Sequence, residues 1–114
     1  MLLDRRRADR DRRSSRRVPA VFAVRNTAAP QVQLGQAEDI GPTGMALRWP
    51  KDADFSSLVT LTFQLPGTRE PIAASVQVMN DRYAGRYRRT GVRFTALDPS
   101  DADRIARYCA SRRG

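Results

Sequence analysis

The chain has 114 residues, of which 40% are hydrophobic, and its twenty arginines and one lysine outweigh twelve acidic residues to give a formal net charge of +9 at pH 7. This length suits one domain that buries a modest core without metal or disulfide support. The sequence has no histidine and one cysteine, Cys109, which excludes His-based acid–base chemistry, Ser-His and Cys-His nucleophiles, and nearly all nitrogen or sulfur metal sites. We therefore expect a protein that is not an enzyme and that needs no metal or cofactor.

The sequence also indicates where the protein works. No stretch approaches the roughly 18 apolar residues of a membrane helix, and the N-terminus turns polar after Leu3. A lone cysteine forms no internal disulfide, which is typical of a reducing compartment. We expect a cytoplasmic protein without a membrane span.

Residues 1–17 form a strongly basic segment with eight arginines and three aspartates. Such a segment buries too little apolar surface to offset the entropy of ordering, so it is predicted to be a flexible arm. Arginine forks bind phosphate in a bidentate manner, read the edge of guanine and stack on bases. A GC-rich genome also raises the ratio of arginine to lysine, but it does not explain why the arginines cluster.

Residues 18–97 show the period of two that is typical of strands, punctuated by Gly and Pro turns. The predicted strands are residues 18–25, 32–38, 45–49, 59–65, 72–78 and 87–94, with Asp39–Gly44 as a turn between the second and third. Short strands joined in this way favour a closed antiparallel barrel, which leaves no exposed sheet edge. The fold class predicted is all-β, a six-stranded antiparallel β-barrel.

Residues 98–114 change to a helical period. Asp98 is a typical N-cap, Pro99 suits the first helical position, and Ile105 and Cys109 are spaced i, i+4 on one face. We predict an amphipathic C-terminal α-helix that packs on the barrel.

Three features in chain order resemble the PilZ domain family. The first is an RxxxR pair, Arg13 and Arg17, just before the first strand. The second is Asp39-Ile40-Gly41-Pro42-Thr43-Gly44, where the family has [D/N]xSxxG, and the third is Gly91-Val92-Arg93-Phe94 followed by a helix with an acidic N-cap. The resemblance covers residues 12–110, and the order and spacing of the three features are more specific than any one of them.

The resemblance implies a six-stranded barrel that binds the bacterial second messenger cyclic di-GMP. The ligand-binding residues it implies are Arg13, Arg17, Asp39, Gly41 and Gly44, to which Arg12, Arg16 and Arg93 are added as candidate helpers. The chemistry of these residue types agrees, because arginine forks suit phosphate and guanine O6/N7, and a carboxylate accepts from guanine N1–H and N2–H. A receptor of this kind also needs a downstream partner protein, which the sequence does not identify.

One position departs from the family pattern. Gly41 stands where the family has serine, so one hydroxyl hydrogen bond is absent. Two alternatives stay open at this point: an adaptor that acts by protein contacts without nucleotide, and a nucleic-acid-binding domain that uses the basic arm and the cluster from Arg82 to Arg89.

Overall fold

The computed structural model describes residues 17–27, 33–51, 53 and 58–113, and shows a closed antiparallel barrel with one helix at its C-terminal end. The arm residues Arg12, Arg13 and Arg16 lie outside the described residues. The strands are β1 Val18–Asn26, β2 Gln33–Gly41, β3 Gly44–Pro50, β4 Leu58–Phe63, β5 Ile72–Ala84 and β6 Tyr87–Ala96, and the helix is α1 Pro99–Arg113. Around the barrel the strand order is β1-β2-β3-β6-β5-β4, and β4 closes on β1 through Val24, Arg25 and Asn26.

The predicted fold class is confirmed, but several strand boundaries differ, and two of the differences are large. The stretch Asp39–Gly44 is not one long turn, because β2 runs on to Gly41 and only Pro42 and Thr43 connect it to β3. Strand β5 does not end at residue 78 but continues to Ala84, paired with the first half of β6.

The barrel interior is filled by alternate residues of all six strands. Trp49, Ile40, Met45, Leu47 and Leu61 are all at most 1% exposed. Burying a side chain of this size stabilises the fold by about 1.5–3 kcal/mol, so this core is the main source of stability. Trp49 is therefore a core residue, and its ring packs so closely on Gly35 that a Cβ there would overlap it.

Helix α1 begins as its sequence predicts. The Asp98 carboxylate accepts hydrogen bonds from the backbone N and the hydroxyl of Ser100, at 2.9 and 2.7 Å. Ile105 and Cys109 are fully buried, and the Cys109 thiol lies 3.6 Å from the carbonyl oxygen of Ile40 in β2. The helix thus covers the barrel through the i, i+4 face that the sequence indicated. No helix within the described part of the chain has the length and apolar character needed to cross a membrane.

Candidate functional site

Motif residues that are far apart in the chain lie on one surface of the barrel. Asp39, Gly44 and Arg93 lie on adjacent strands β2, β3 and β6, and their neighbours Ile40, Met45 and Val92 point into the core. Since side chains alternate along a strand, the motif residues face outward. We call this outward face, formed by Arg17, Asp39, Gly44, Ala46, Gly91 and Arg93, the motif surface.

Asp39 lies where the pairing of β2 with β3 is irregular, which the sequence did not predict. The register of β2 against β3 shifts between Ala37 and Asp39, as in a β-bulge. The Asp39 carboxylate oxygen Oδ1 accepts a hydrogen bond of 3.0 Å from the backbone N of Ala46 in β3. The Asp39 side chain therefore accepts a hydrogen bond from the neighbouring strand at the position where the pairing of β2 and β3 is irregular.

Arg17 reaches the same carboxylate. Its guanidinium nitrogen Nη1 lies 3.3 Å from Asp39 Oδ1, and the two side chains are 38% and 34% exposed. Among the described residues, both hydrogen bonds to Asp39 fall on Oδ1 and none on Oδ2. The pair therefore presents a guanidinium and a carboxylate oxygen together, at a place open to solvent.

The packing of β3 against β6 requires a glycine at position 44. A Cβ at this position would overlap the backbone carbonyl oxygen of Val92 in β6, and it would lie 3.2 Å from Arg17 Nη2. The family resemblance implies a ligand contact at Gly44. The structure shows that β6 fills that space, and that the Arg17 guanidinium lies over Gly44.

Arg93 joins the motif surface from the other side. It pairs with Gly44 in the β3–β6 register, its side chain is exposed, and it donates a 2.8 Å hydrogen bond to the side-chain oxygen of Gln77 in β5. Arg93 thus adds a second guanidinium to the motif surface, held toward β5, while the Arg17 guanidinium lies over Gly44. Two cations and one carboxylate make a surface suited to a phosphate-containing ligand that also offers N–H donors.

Gly41 ends β2 and pairs with Gly44 across the hairpin. In the described residues, the glycines with positive φ are Gly67 and Gly85. The backbone at Gly41 is therefore not in the left-handed region, and its conformation is open to serine.

Ala46 on the motif surface and Asn80 at its border are residues that sequence reasoning missed. Ala46 pairs with Gly91 across β3 and β6, so two small residues lie side by side here. The side chain of Asn80 lies over Gly91, and its Oδ1 accepts a 3.1 Å hydrogen bond from the Gly91 backbone N. The alternation of β3 could have identified Ala46, but the register shift between Val78 and Asn80 hid the position of Asn80.

A shallow depression of about 310 Å³ lies elsewhere, on strands β1 and β2. It is lined by Val21, Phe22, Ala23, Gly35 and Gln36, and it includes no predicted site residue. Its lining offers no guanidinium or carboxylate, so it does not supply the chemistry that the motif surface does.

The barrel, its capping helix and the outward Arg/Asp surface together define a small β-barrel binding domain. The PilZ domain model matches residues 11–111, and the chain belongs to the PilZ domain family. No curated protein matches the chain significantly.

Several solved structures have the same fold as this chain. The inhibitor of motility MotI/DgrA of Bacillus subtilis superposes with a TM-score of 0.77 at 18% identity, over 85% of this chain and 49% of that one. This chain thus spans about half the length of MotI/DgrA. The PilZ domain of YcgR from Escherichia coli, solved with c-di-GMP, gives 0.66 at 15% identity over 90% and 92% of the two chains. PlzA of Borreliella burgdorferi, also in complex with c-di-GMP, gives 0.59 at 12% identity over 96% and 57%.

Proposed function

We propose that this PilZ domain is a cyclic di-GMP receptor that binds the ligand on the motif surface. The observation that carries the proposal is the Arg17–Asp39 pair, which sets a guanidinium beside a carboxylate on the open outer face of β2 and β3. Two structural relatives, YcgR and PlzA, hold c-di-GMP. Their likeness supports the ligand class, and the chemistry of these residues supports the location.

Each group of the motif surface has a role in this proposal. Asp39 Oδ2 accepts from guanine N1–H or N2–H, while Oδ1 stays anchored to Ala46. Arg17 and Arg93 offer forks for a phosphate or for guanine O6/N7. Ala46 offers the planar base a small side chain on β3, and the Asn80 side chain, which lies over Gly91, borders this position.

The arm completes the site in this proposal. Arg13, with Arg12 or Arg16 as helpers, contacts the ligand together with Arg17 and orders the arm at residues 1–17. The ordered arm then signals to a partner protein in the cytoplasm. Amide exchange around residues 12–17 is expected to slow on adding cyclic di-GMP, and unchanged exchange at saturation would mean that the arm is not the switch.

A calorimetric titration tests the receptor function. We expect heat on adding cyclic di-GMP to the full chain, and much weaker or no heat with GTP, a linear guanine dinucleotide or a short DNA. Absence of binding at millimolar cyclic di-GMP and low salt would refute the receptor function.

The second candidate is a PilZ adaptor that acts through protein contacts alone. Gly41 in place of the motif serine favours it, because the site then lacks one hydroxyl. A neutral hydrogen bond contributes about 0.5–1.5 kcal/mol, so its loss weakens binding by at most about tenfold. We therefore place the receptor first.

A further inference from the structure

The far end of the β5–β6 hairpin carries an exposed surface that the proposed ligand site does not use. All residues from Asn80 to Tyr87 are exposed, and the chain reverses there through Gly85, whose φ is +64°. We call the exposed set Met79, Arg82, Tyr83, Arg86 and Tyr87 the basic-aromatic tip. Met79, Tyr83 and Tyr87 are 55%, 64% and 49% exposed, so about half or more of each of these large side chains is open to solvent.

The charge of the hairpin is unbalanced. Its one carboxylate, Asp81, is bound by the Arg88 guanidinium through both carboxylate oxygens. Arg82 and Arg86 have no carboxylate partner among the residues that the structure describes. The tip therefore presents two exposed guanidinium groups whose charge is not neutralised locally.

A cationic side chain lies over the ring of each tyrosine. Lys51 lies 5.8 Å from the ring centroid of Tyr83, and Arg48 lies 4.8 Å from that of Tyr87. These contacts hold the rings in place and add further positive charge beside the tip.

The two rings lie on opposite faces of the hairpin. Tyr83 pairs with Arg88, and the next pair along the ladder joins Ala84 to Tyr87. Because side chains alternate, Tyr83 and Tyr87 do not form one stacking platform of the kind that binds successive bases of a single strand. The tip instead presents aromatic, methionine and arginine side chains on both of its faces. These residue types are enriched in protein–protein interfaces.

We propose that the basic-aromatic tip is the docking surface for an acidic face of a partner protein. The inference rests on the proposed function in that it assigns the downstream partner to this end of the barrel, away from the Arg17–Asp39 pair. The charge of Arg82 and Arg86 selects an acidic partner, and the rings supply apolar contact area.

The test uses the full chain and a fluorescein-labelled peptide of repeated Glu-Glu-Leu, followed by fluorescence anisotropy. Arg82→Ala/Arg86→Ala is expected to weaken peptide binding about tenfold, since two exposed charge contacts are lost. The matched control is Arg107→Ala/Arg112→Ala, which removes the same charge from helix α1 and is expected to leave peptide affinity within about twofold of the wild type. Melting temperatures of both variants confirm that they fold.

Equal loss of affinity in the two variants would overturn the proposal, because it would show attraction by net charge alone. An oligodeoxythymidylate that binds more tightly than the peptide and depends on Arg82 and Arg86 would overturn it in favour of nucleic acid. Cyclic di-GMP titrations of the same proteins separate the two proposals. Both variants should bind cyclic di-GMP like the wild type. A wild type that fails to bind cyclic di-GMP would refute the receptor function, but the peptide affinities of the two variants would still test the docking surface.

Discussion

Arg17 donates a hydrogen bond to Asp39 across 3.3 Å, and this contact joins the residue before β1 to the irregular position of β2. The two residues come from the two separate motifs of the family, and they are 22 positions apart in the chain. Because Asp39 Oδ1 is also held by the backbone of Ala46, Asp39 is anchored and Arg17 is the more adjustable partner.

Replacing Arg17 by alanine separates binding from folding. Arg17→Ala is expected to weaken cyclic di-GMP binding by about 1.5–3 kcal/mol, or roughly ten- to 150-fold, if its charged hydrogen bonds reach the ligand. The melting temperature of the free protein should barely change, because exposed ion pairs contribute little. Arg107→Ala is the matched control, since Arg107 is 79% exposed and pairs with Asp103 on α1. A large loss of stability in Arg17→Ala would show that Arg17 is a structural residue instead.

Gly41→Ser restores the hydroxyl that the family motif contains. We expect it to tighten cyclic di-GMP binding by up to about tenfold, and to cause no loss of melting temperature from backbone strain because φ at Gly41 is not positive. Calorimetry and thermal unfolding on the same variant check both statements. Normal stability with equal or weaker binding would refute the alignment of Gly41 with the motif serine.

Gly44→Ala tests the close approach of β3 and β6. The added methyl would overlap the Val92 carbonyl oxygen, and because backbone cannot rotate away, we expect a loss of about 1–3 kcal/mol of unfolding free energy. At Gly91 a Cβ would meet the side-chain amide of Asn80 at 2.6 Å. Because that side chain can move, Gly91→Ala should lower the unfolding free energy by less than Gly44→Ala does. Asn80→Ala should relieve that contact in the double variant. Equal losses for Gly44→Ala and Gly91→Ala in urea unfolding would contradict this difference.

Asp81 predicts a pH dependence of stability. Hydrogen bonds from Arg88 are the main cause that lowers the pKa of the Asp81 carboxyl below its ordinary value of 3.8. A carboxyl with a lowered folded-state pKa stabilises the fold above its unfolded-state pKa, and this stability is lost as pH falls through the folded-state pKa. Asp81→Asn should therefore lower the melting temperature at pH 7 and lose this difference in strong acid. Asp103→Asn, in an exposed helix pair, is the control and should change little. A difference for Asp81→Asn that persists unchanged in acid would mean that ionisation is not its cause.

The sequence predicted the barrel and the helix well because their signals are local. Alternation at Val59, Leu61 and Phe63 and the i, i+4 pair Ile105 and Cys109 mark faces that are buried in the structure. Strand β5 was predicted too short because its end at Asn80–Ala84 is exposed on both faces, so no apolar alternation marks it.

The geometry of the motif surface was predicted less completely because it depends on long-range register. The motif identified Arg17, Asp39 and Gly44, but the bond from Ala46 to Asp39 and the overlap at Val92 follow from strand pairing. The bulges near Asp39 and Asn80 shift that pairing by one residue, which no local pattern reveals.

The most direct test of the central claim is a two-dimensional amide NMR titration of the full chain with cyclic di-GMP. We expect the largest shift changes at Arg17, Asp39, Ala46, Gly91 and Arg93, with little change at the depression residue Val21 or at the tip residue Arg86. Changes centred on Val21 or Arg86, or no change at millimolar ligand, would contradict binding on the motif surface.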